Sequence, residues 1–156
     1  MKIIAHRGNL YGPNLETENT IEQAEKCFVF GFAVELDIWV WDAAFYLGHS
    51  APKTFVARRW ILDNLHRVKL HAKNQEAAYE LAEIVDVFCH RNDPFVFTSR
   101  RNVWFYPGSE IQKQYNVGRQ LIACLPELAP DWDLTHATHI CTDYPVKYAE
   151  MYAKGK

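Results

Sequence analysis

Cysteine is scarce in this chain, and the few cysteines it has are scattered. Cys27, Cys89, Cys124 and Cys141 are the only four in 156 residues. Their spacing fits neither a zinc knuckle nor a CxxC redox pair. They read as buried free thiols of a reducing, cytoplasmic compartment. Charge of one sign is equally lacking: 17 basic against 19 acidic residues leave a net charge of −2. That balance excludes a nucleic-acid partner and an electrostatic membrane surface. Arg58-Arg59 and Arg100-Arg101 are too short to track a phosphate backbone and read as solvated turns. No apolar run approaches the ~20 residues of a membrane span. At the N-terminus only Ile3, Ile4 and Ala5 follow Lys2 before His6-Arg7 interrupts them, which is not a signal-peptide pattern. There is no internal repeat, low-complexity segment or linker, so a single domain over residues 1–156 is expected, with oligomeric state left open.

Apolar residues, by contrast, make up 49% of the chain, and five Trp, eight Tyr and nine Phe allow a well-filled core. Short apolar strands alternate with helical patterns in the first half. After the strand Lys2–Ala5, Glu18-Asn19-Thr20 opens a helix with Asn19 or Thr20 as its cap, and Gly31 closes it. A second strand over Ala33–Val40 turns at Trp41–Ala44 into a hairpin extension, Phe45–Leu47, that ends at Gly48-His49. Further strands centre near residues 70, 87, 97, 104, 122 and 140, and Pro145 opens a closing helix. Counted with the first two, these make eight main strands, and polar residues gather repeatedly at their C-terminal ends. That arrangement predicts a compact TIM-type (β/α)8 barrel with several outer helices shortened or missing. The short chain makes an open α/β sheet the second choice, since such barrels usually take about 200 residues or more.

The most telling segment is Phe32-Ala33-Val34-Glu35-Leu36-Asp37-Ile38-Trp39. Residues two apart on a strand share a face, so Glu35 and Asp37 project together while Leu36 and Ile38 pack behind them. Two buried carboxylates side by side repel each other and lose hydration unless a counter-charge compensates. A divalent cation is such a counter-charge. His6 and Arg7 end the first strand, and Glu18 begins the first helix, where a carboxylate alone could simply serve the helix dipole.

His6-Arg7-Gly8, Glu18-Asn19-Thr20, Glu35-Leu36-Asp37 and Gly48-His49, in this order, resemble the glycerophosphodiester phosphodiesterase family, and Cys141-Thr142-Asp143-Tyr144-Pro145 resembles its last strand. The likeness covers the first third of the chain and, more weakly, its end. It implies a barrel with one divalent metal, Mg²⁺ or Ca²⁺, at its mouth, and a small phosphodiester as substrate. By position it implies His6 and His49 as catalytic residues, Arg7 and Lys73 as phosphate contacts, and Glu18, Glu35 and Asp37 as metal ligands. His71 stands where the family carries a carboxylate ligand and takes that place in the expected metal set. Ser50 stands where the family has Asp, and only Ala51–Trp60 replaces its larger insertion, so an open pocket rim is expected.

These residue types suit the chemistry. Oxygen ligands hold a hard cation, Arg and Lys neutralise phosphate oxygens, and two imidazoles can share acid and base work. The expected function is therefore metal-dependent phosphodiester hydrolysis of a lipid- or glycan-derived ester, by water or through a cyclic phosphate. A non-catalytic phosphate-ester-binding module on the same barrel is the alternative, favoured by Ser50 and His71. A carbohydrate-directed enzyme is a third reading, against which Arg7 and Lys73 argue. His90, Glu127 and Asp143 are strand-end residues that could line the same mouth. His136 and His139 read as structural; Trp39 and Trp104 could stack on a substrate or pack in the barrel, with core packing the first choice.

Overall fold

The computed structural model describes residues 1–155; Lys156, the last residue of the expected domain, lies outside the described residues. Strand β1 (Lys2–Ala5) runs into a 3-10 turn at His6–Gly8, and helix α1 (Ile21–Val29) follows a loop. Thr20 caps α1 by accepting from the Gln23 amide, and Gly31 turns the chain out of it at φ 83°. Next come β2 (Ala33–Trp41), β3 (Ala44–Leu47), β4 (Thr54–Val56), helix α2 (Arg58–Asp63), β5 (Val68–Ala72) and helix α3 (Gln75–Leu81). The segment from 56 to 65 thus runs from the end of β4 through α2. The second half holds β6 (Val87–Phe88), β7 (Phe95–Phe97), β8 (Val103–Phe105), β9 (Leu121–Cys124), β10 (His139–Thr142) and helix α4 (Pro145–Lys154).

The strands form one curled sheet. β6, β5, β2, β1, β10, β9 and β8 lie parallel in that order, and β7 pairs antiparallel with β8. The tip of β2 also pairs antiparallel with β3, and β3 with β4, so a three-stranded ribbon rises from the sheet.

The expected closed barrel is corrected here: among the described residues no ladder joins β6 to β7 or β8. Connector length is the reason. Arg100-Arg101-Asn102 cannot make the crossover of about a dozen residues that parallel strands need, so β7 folds back on β8 as a hairpin. In place of a ladder, the Ser99 amide donates to Val87 O (2.8 Å) and the Ser99 hydroxyl to Val85 O (2.9 Å). Outer helices follow β1, β4, β5 and β10 and are missing after β6, β7, β8 and β9.

Three apolar layers hold the sheet. Leu36, Ile38 and Leu70 pack outward against Ala24 and Cys27 of α1, Ile61 of α2, and Ala77 and Leu81 of α3. Phe105, Leu121, Ala123 and Ile140 pack outward under Tyr148 and Tyr152 of α4 and under loop residues Ile111, Trp132 and Leu134. The loops thereby cover strands that no helix covers. Inside the curl lie Ile4, Phe88, Trp104, Ile122, Cys124 and Cys141. Trp104 is fully buried, in keeping with a packing role. Cys27, Cys124 and Cys141 are buried free thiols, but Cys89 is exposed, because the chain leaves the sheet directly after β6. Among the described residues no helix is long and apolar enough to cross a membrane.

Candidate active site

The polar residues converge where β1, β2, β5 and β10 end. β2 and β5 are in register with Asp37 beside His71, so alternation turns Glu35, Asp37 and His71 to the same inner face. His6 and Arg7 enter from the turn after β1. Arg7 adopts φ 51° and ψ 20°, a left-handed conformation that costs a residue with a side chain about 1–3 kcal/mol. In that conformation its backbone N–H donates to Glu35 Oε2 at 3.1 Å.

Asp37 is the hub. Only 1% of its side chain is exposed, yet its two oxygens meet five side chains. Oδ1 lies 3.0 Å from His71 Nδ1 and 3.4 Å from Lys73 Nζ. Oδ2 lies 3.1 Å from Arg7 Nε and 3.1 Å from His49 Nδ1, and accepts from Asn19 Nδ2 at 3.0 Å. The Arg7 Nε contact is ionic only, since the geometry forms no hydrogen bond. Burial alone would raise the Asp37 carboxyl, but the His71 hydrogen bond and the Lys73 and Arg7 charges hold it below the usual carboxylate range. Glu35 moves the other way: burial first, and then the Asp37 charge, push it up, against the pull of His6, His71 and Arg7.

His6 Nδ1 is 2.8 Å from Asp143 Oδ1, which leaves Nε2 facing Glu35 Oε2 at 3.9 Å. Burial lowers the His6 affinity for protons, but the Asp143 hydrogen bond and the Glu35 charge outweigh it and raise its pKa to about 9. The imidazole is therefore cationic at neutral pH, with Nδ1–H donating to Asp143. Asp143 also accepts from Asn9 Nδ2 (2.8 Å), and the Glu127 carboxylate accepts from the Asp143 amide (2.8 Å) and the Thr142 hydroxyl (3.0 Å). Burial raises the Asp143 carboxyl, and the His6 and Asn9 contacts lower it to a net value below the ordinary one.

All eight residues singled out in the sequence belong to this one network. Their arrangement differs from a simple ligand ring. Glu18 Oε1 accepts from Arg7 Nη1 at 3.1 Å, whereas the oxygens and nitrogen that approach within 4.8 Å of one another belong to Glu35, Asp37 and His71. Arg7 Nη2 donates to His49, 2.7 Å from Nδ1, the same nitrogen that faces Asp37. That nitrogen can accept from Arg7 or donate to Asp37 but cannot do both. His49 is the open member, with 45% of its side chain exposed.

Glu35, Asp37 and His71 each offer one ligand atom within 4.8 Å of the other two, a grouping that could hold one metal ion. Two ligand atoms at right angles on an ion about 2.1 Å away lie about 3 Å apart, a metal–oxygen distance proper to Mg²⁺. Asp37 Oδ1 and His71 Nδ1 are 3.0 Å apart as hydrogen-bond partners, so His71 would have to give up its Nδ1–H to ligate an ion.

Sequence reasoning did not assign Asn19 its part. Asn19 is not the helix cap. It sits at φ 56°, and its side chain grips Asp37 at two points, the second being the Asp37 amide donating to Asn19 Oδ1 at 2.8 Å. A residue tolerant of left-handed backbone just before the Thr20 cap was the available signal. Asp143 and Glu127 were candidates only through their strand-end positions. His90 stacks between His71 (4.9 Å) and Tyr106 (4.0 Å), and burial followed by the His71 and Lys73 charges lowers its pKa to about 4.

No family model matches the chain, and no curated protein matches it in sequence. Among solved structures it is similar to the crystal structure of a "putative glycerophosphodiester phosphodiesterase" from Galdieria sulphuraria. The TM-score is 0.62 at 13% identity, and 97% of each chain is covered. The likeness is one of fold. It extends over nearly the whole of both chains.

Proposed function

We propose that this chain is a metal-dependent phosphodiesterase of the glycerophosphodiester phosphodiesterase type. The observation that carries the reading is the Asp37 hub. One buried carboxylate, next to a second one, is ringed by Arg7, His49, His71 and Lys73 at a mouth that His6 also enters. Such a site offers both a cation-binding edge and a phosphate-binding edge. The fold likeness supports the same reading.

Glu35, Asp37 and His71 would hold the divalent ion, with Mg²⁺ and Ca²⁺ favoured by the carboxylates. When bound, the ion supplies charge neutralisation on the phosphate. Arg7 offers forked N–H groups to the phosphate oxygens and Lys73 a point charge. A phosphate that takes Arg7 Nη2 releases His49 Nδ1 from that donor. His6, held protonated by Asp143, is the acid that protonates the leaving alkoxide through Nε2, and solvent-open His49 is the base.

The test is hydrolysis of bis(p-nitrophenyl) phosphate and of glycerophosphodiesters with Mg²⁺, Ca²⁺ or Mn²⁺. Turnover should vanish with chelator and with His6→Ala. The rival reading, a phosphate-ester-binding module, is favoured by the protein contacts that already crowd Asp37, with His71 and Lys73 at Oδ1 and Asn19 donating to Oδ2. Metal and ester binding without turnover would establish it.

A further inference from the structure

The ribbon above the mouth has two unlike faces. Ile38, Phe45, Leu47 and Val56 point into the outer core. On the opposite face, alternation along β2 continues the line Glu35, Asp37 into Trp39 and Trp41. The ladders then place Tyr46 beside Trp39, and Phe55 beside Tyr46. Trp39, Tyr46 and Phe55 thus form one cross-strand aromatic row on the same face as the candidate site. Among the described residues its outer part is left uncovered: Phe55 is 59% exposed and Trp41 65%. Trp39 is tied down at the foot of the row, its indole N–H donating to Gly48 O at 2.6 Å, one residue before His49. Tyr46 and Phe55 meet edge to face at 6.0 Å and 74°.

We propose that this row carries the non-phosphate arm of the substrate, and that the arm presents a ring with an apolar face: a cyclitol, a sugar or a nucleoside. The inference rests on the phosphodiesterase reading and names its substrate class. A strand rises about 3.4 Å per residue, so Trp39 stands ~7 Å and Trp41 ~14 Å beyond Asp37. A ring esterified to a phosphate at Asp37 falls within that span. An open-chain alcohol has no flat face to lay on the row, whereas rings stack on aromatic side chains without needing any one hydrogen-bond pattern. A membrane is the poorer occupant, because the ribbon's tip exposes Asp42 between Trp41 and Ala44 and would be repelled by anionic lipid.

The test uses the full chain and the double variant Phe55→Ala/Trp41→Ala, whose side chains are exposed and whose loss leaves the core intact. Glycerophosphoinositol and a nucleoside phosphodiester are compared with glycerophosphoethanolamine. The wild type should favour the ring-bearing esters at least tenfold in kcat/KM, and the variant should lose that ratio mainly through KM. Which of the two ring esters leads identifies the source of the ring. Equal kcat/KM for ring and open-chain esters, or a ratio the variant keeps, would overturn the proposal. If no ester is cleaved, the phosphodiesterase reading fails while this one is still decided by calorimetry. Inositol phosphate should then bind at least tenfold more tightly than glycerol phosphate, by about 1.4 kcal/mol. Equal affinities, or binding to anionic vesicles that the variant abolishes, would overturn it.

Discussion

The two central carboxylates should respond in opposite ways to loss of charge. Asp37 is stabilised in its charged form by Arg7, His71 and Lys73, whereas Glu35 is pushed up by burial and by Asp37 itself. Removing one partner from a buried ion pair costs about 3–5 kcal/mol, because the other charges remain uncompensated. For chains of about 150–250 residues each kcal/mol moves Tm by about 2–4 °C. Metal-free Asp37→Asn should therefore melt about 6–20 °C below wild type at pH 7. The gap should narrow as pH falls from the ordinary Asp value of 3.8 toward the lower folded value, where wild type loses the same charge. Glu35→Gln removes a repulsion and keeps an oxygen for the Arg7 amide, so its metal-free Tm should match or exceed that of wild type. Mg²⁺ or Ca²⁺ at about 100 times its Kd should add about 2.7 kcal/mol to wild type, roughly 5–11 °C, and nothing to either variant. Thermal denaturation with chelator and with metal measures all of these. If the two metal-free variants shift Tm in the same direction by similar amounts, the assignment of Asp37 as hub and Glu35 as the strained member is wrong.

His6→Ala should lower kcat by about 10²–10⁴-fold, the range of a lost acid–base group, with metal-induced stabilisation retained; steady-state kinetics and melting separate the two. Gly48→Ala should cost about 1–3 kcal/mol and shift His49, because a Cβ there would meet Ala51 O at 2.2 Å with φ at 148°; urea denaturation and kcat report on each. His139, at the opposite end of the sheet, has a pKa lowered from 6.5 to about 4 by burial and by the Lys2 and Lys69 charges. A depressed value means stability is complete above 6.5 and lost as pH falls toward 4. Solvent reaches part of the ring, so the loss should be about 1–2 kcal/mol, below the full value at 1.36 kcal/mol per pKa step. Urea midpoints of wild type and His139→Gln between pH 7.5 and pH 4 should diverge accordingly.

The first half of the chain was legible because local and long-range signals agree there. The Glu35–Asp37 alternation fixed which face of β2 looks inward, and the Thr20 cap and Gly31 bounded α1. The strand centres near 87, 97, 104, 122 and 140 were also found. The direction of β7 was not, since hydrophobic pattern is the same for a strand run either way; the short connector, residues 98–102, was the decisive clue. Closure of the sheet failed on that one reversal. At the site, sequence order identified which residues meet but not which atoms pair. That Glu18 serves Arg7, and that Asn19 grips Asp37, depends on two left-handed residues, Arg7 and Asn19, whose conformations no periodicity reports.

The division between the regular and the trimmed halves of the sheet explains how so short a chain keeps so dense a site. His6, Arg7, Glu35, Asp37, His71 and Asp143 lie on or just beyond β1, β2, β5 and β10, and α1, α3 and α4 are the next α-helices after three of these strands. A strand buried on both faces has little freedom in register, and a one-residue slip would turn Asp37 into the apolar layer. The helices that are missing would have followed β6 to β9, where loops supply Ile111, Trp132 and Leu134 as cover instead. That side bears no member of the Asp37 network. Buried polar atoms that lack partners occur on both sides: His90 Nδ1, Trp104 Nε1 and Tyr106 OH here, and Arg7 Nε within the Asp37 network. Regular layering has therefore been kept where side-chain position decides the chemistry, and given up where only coverage is needed.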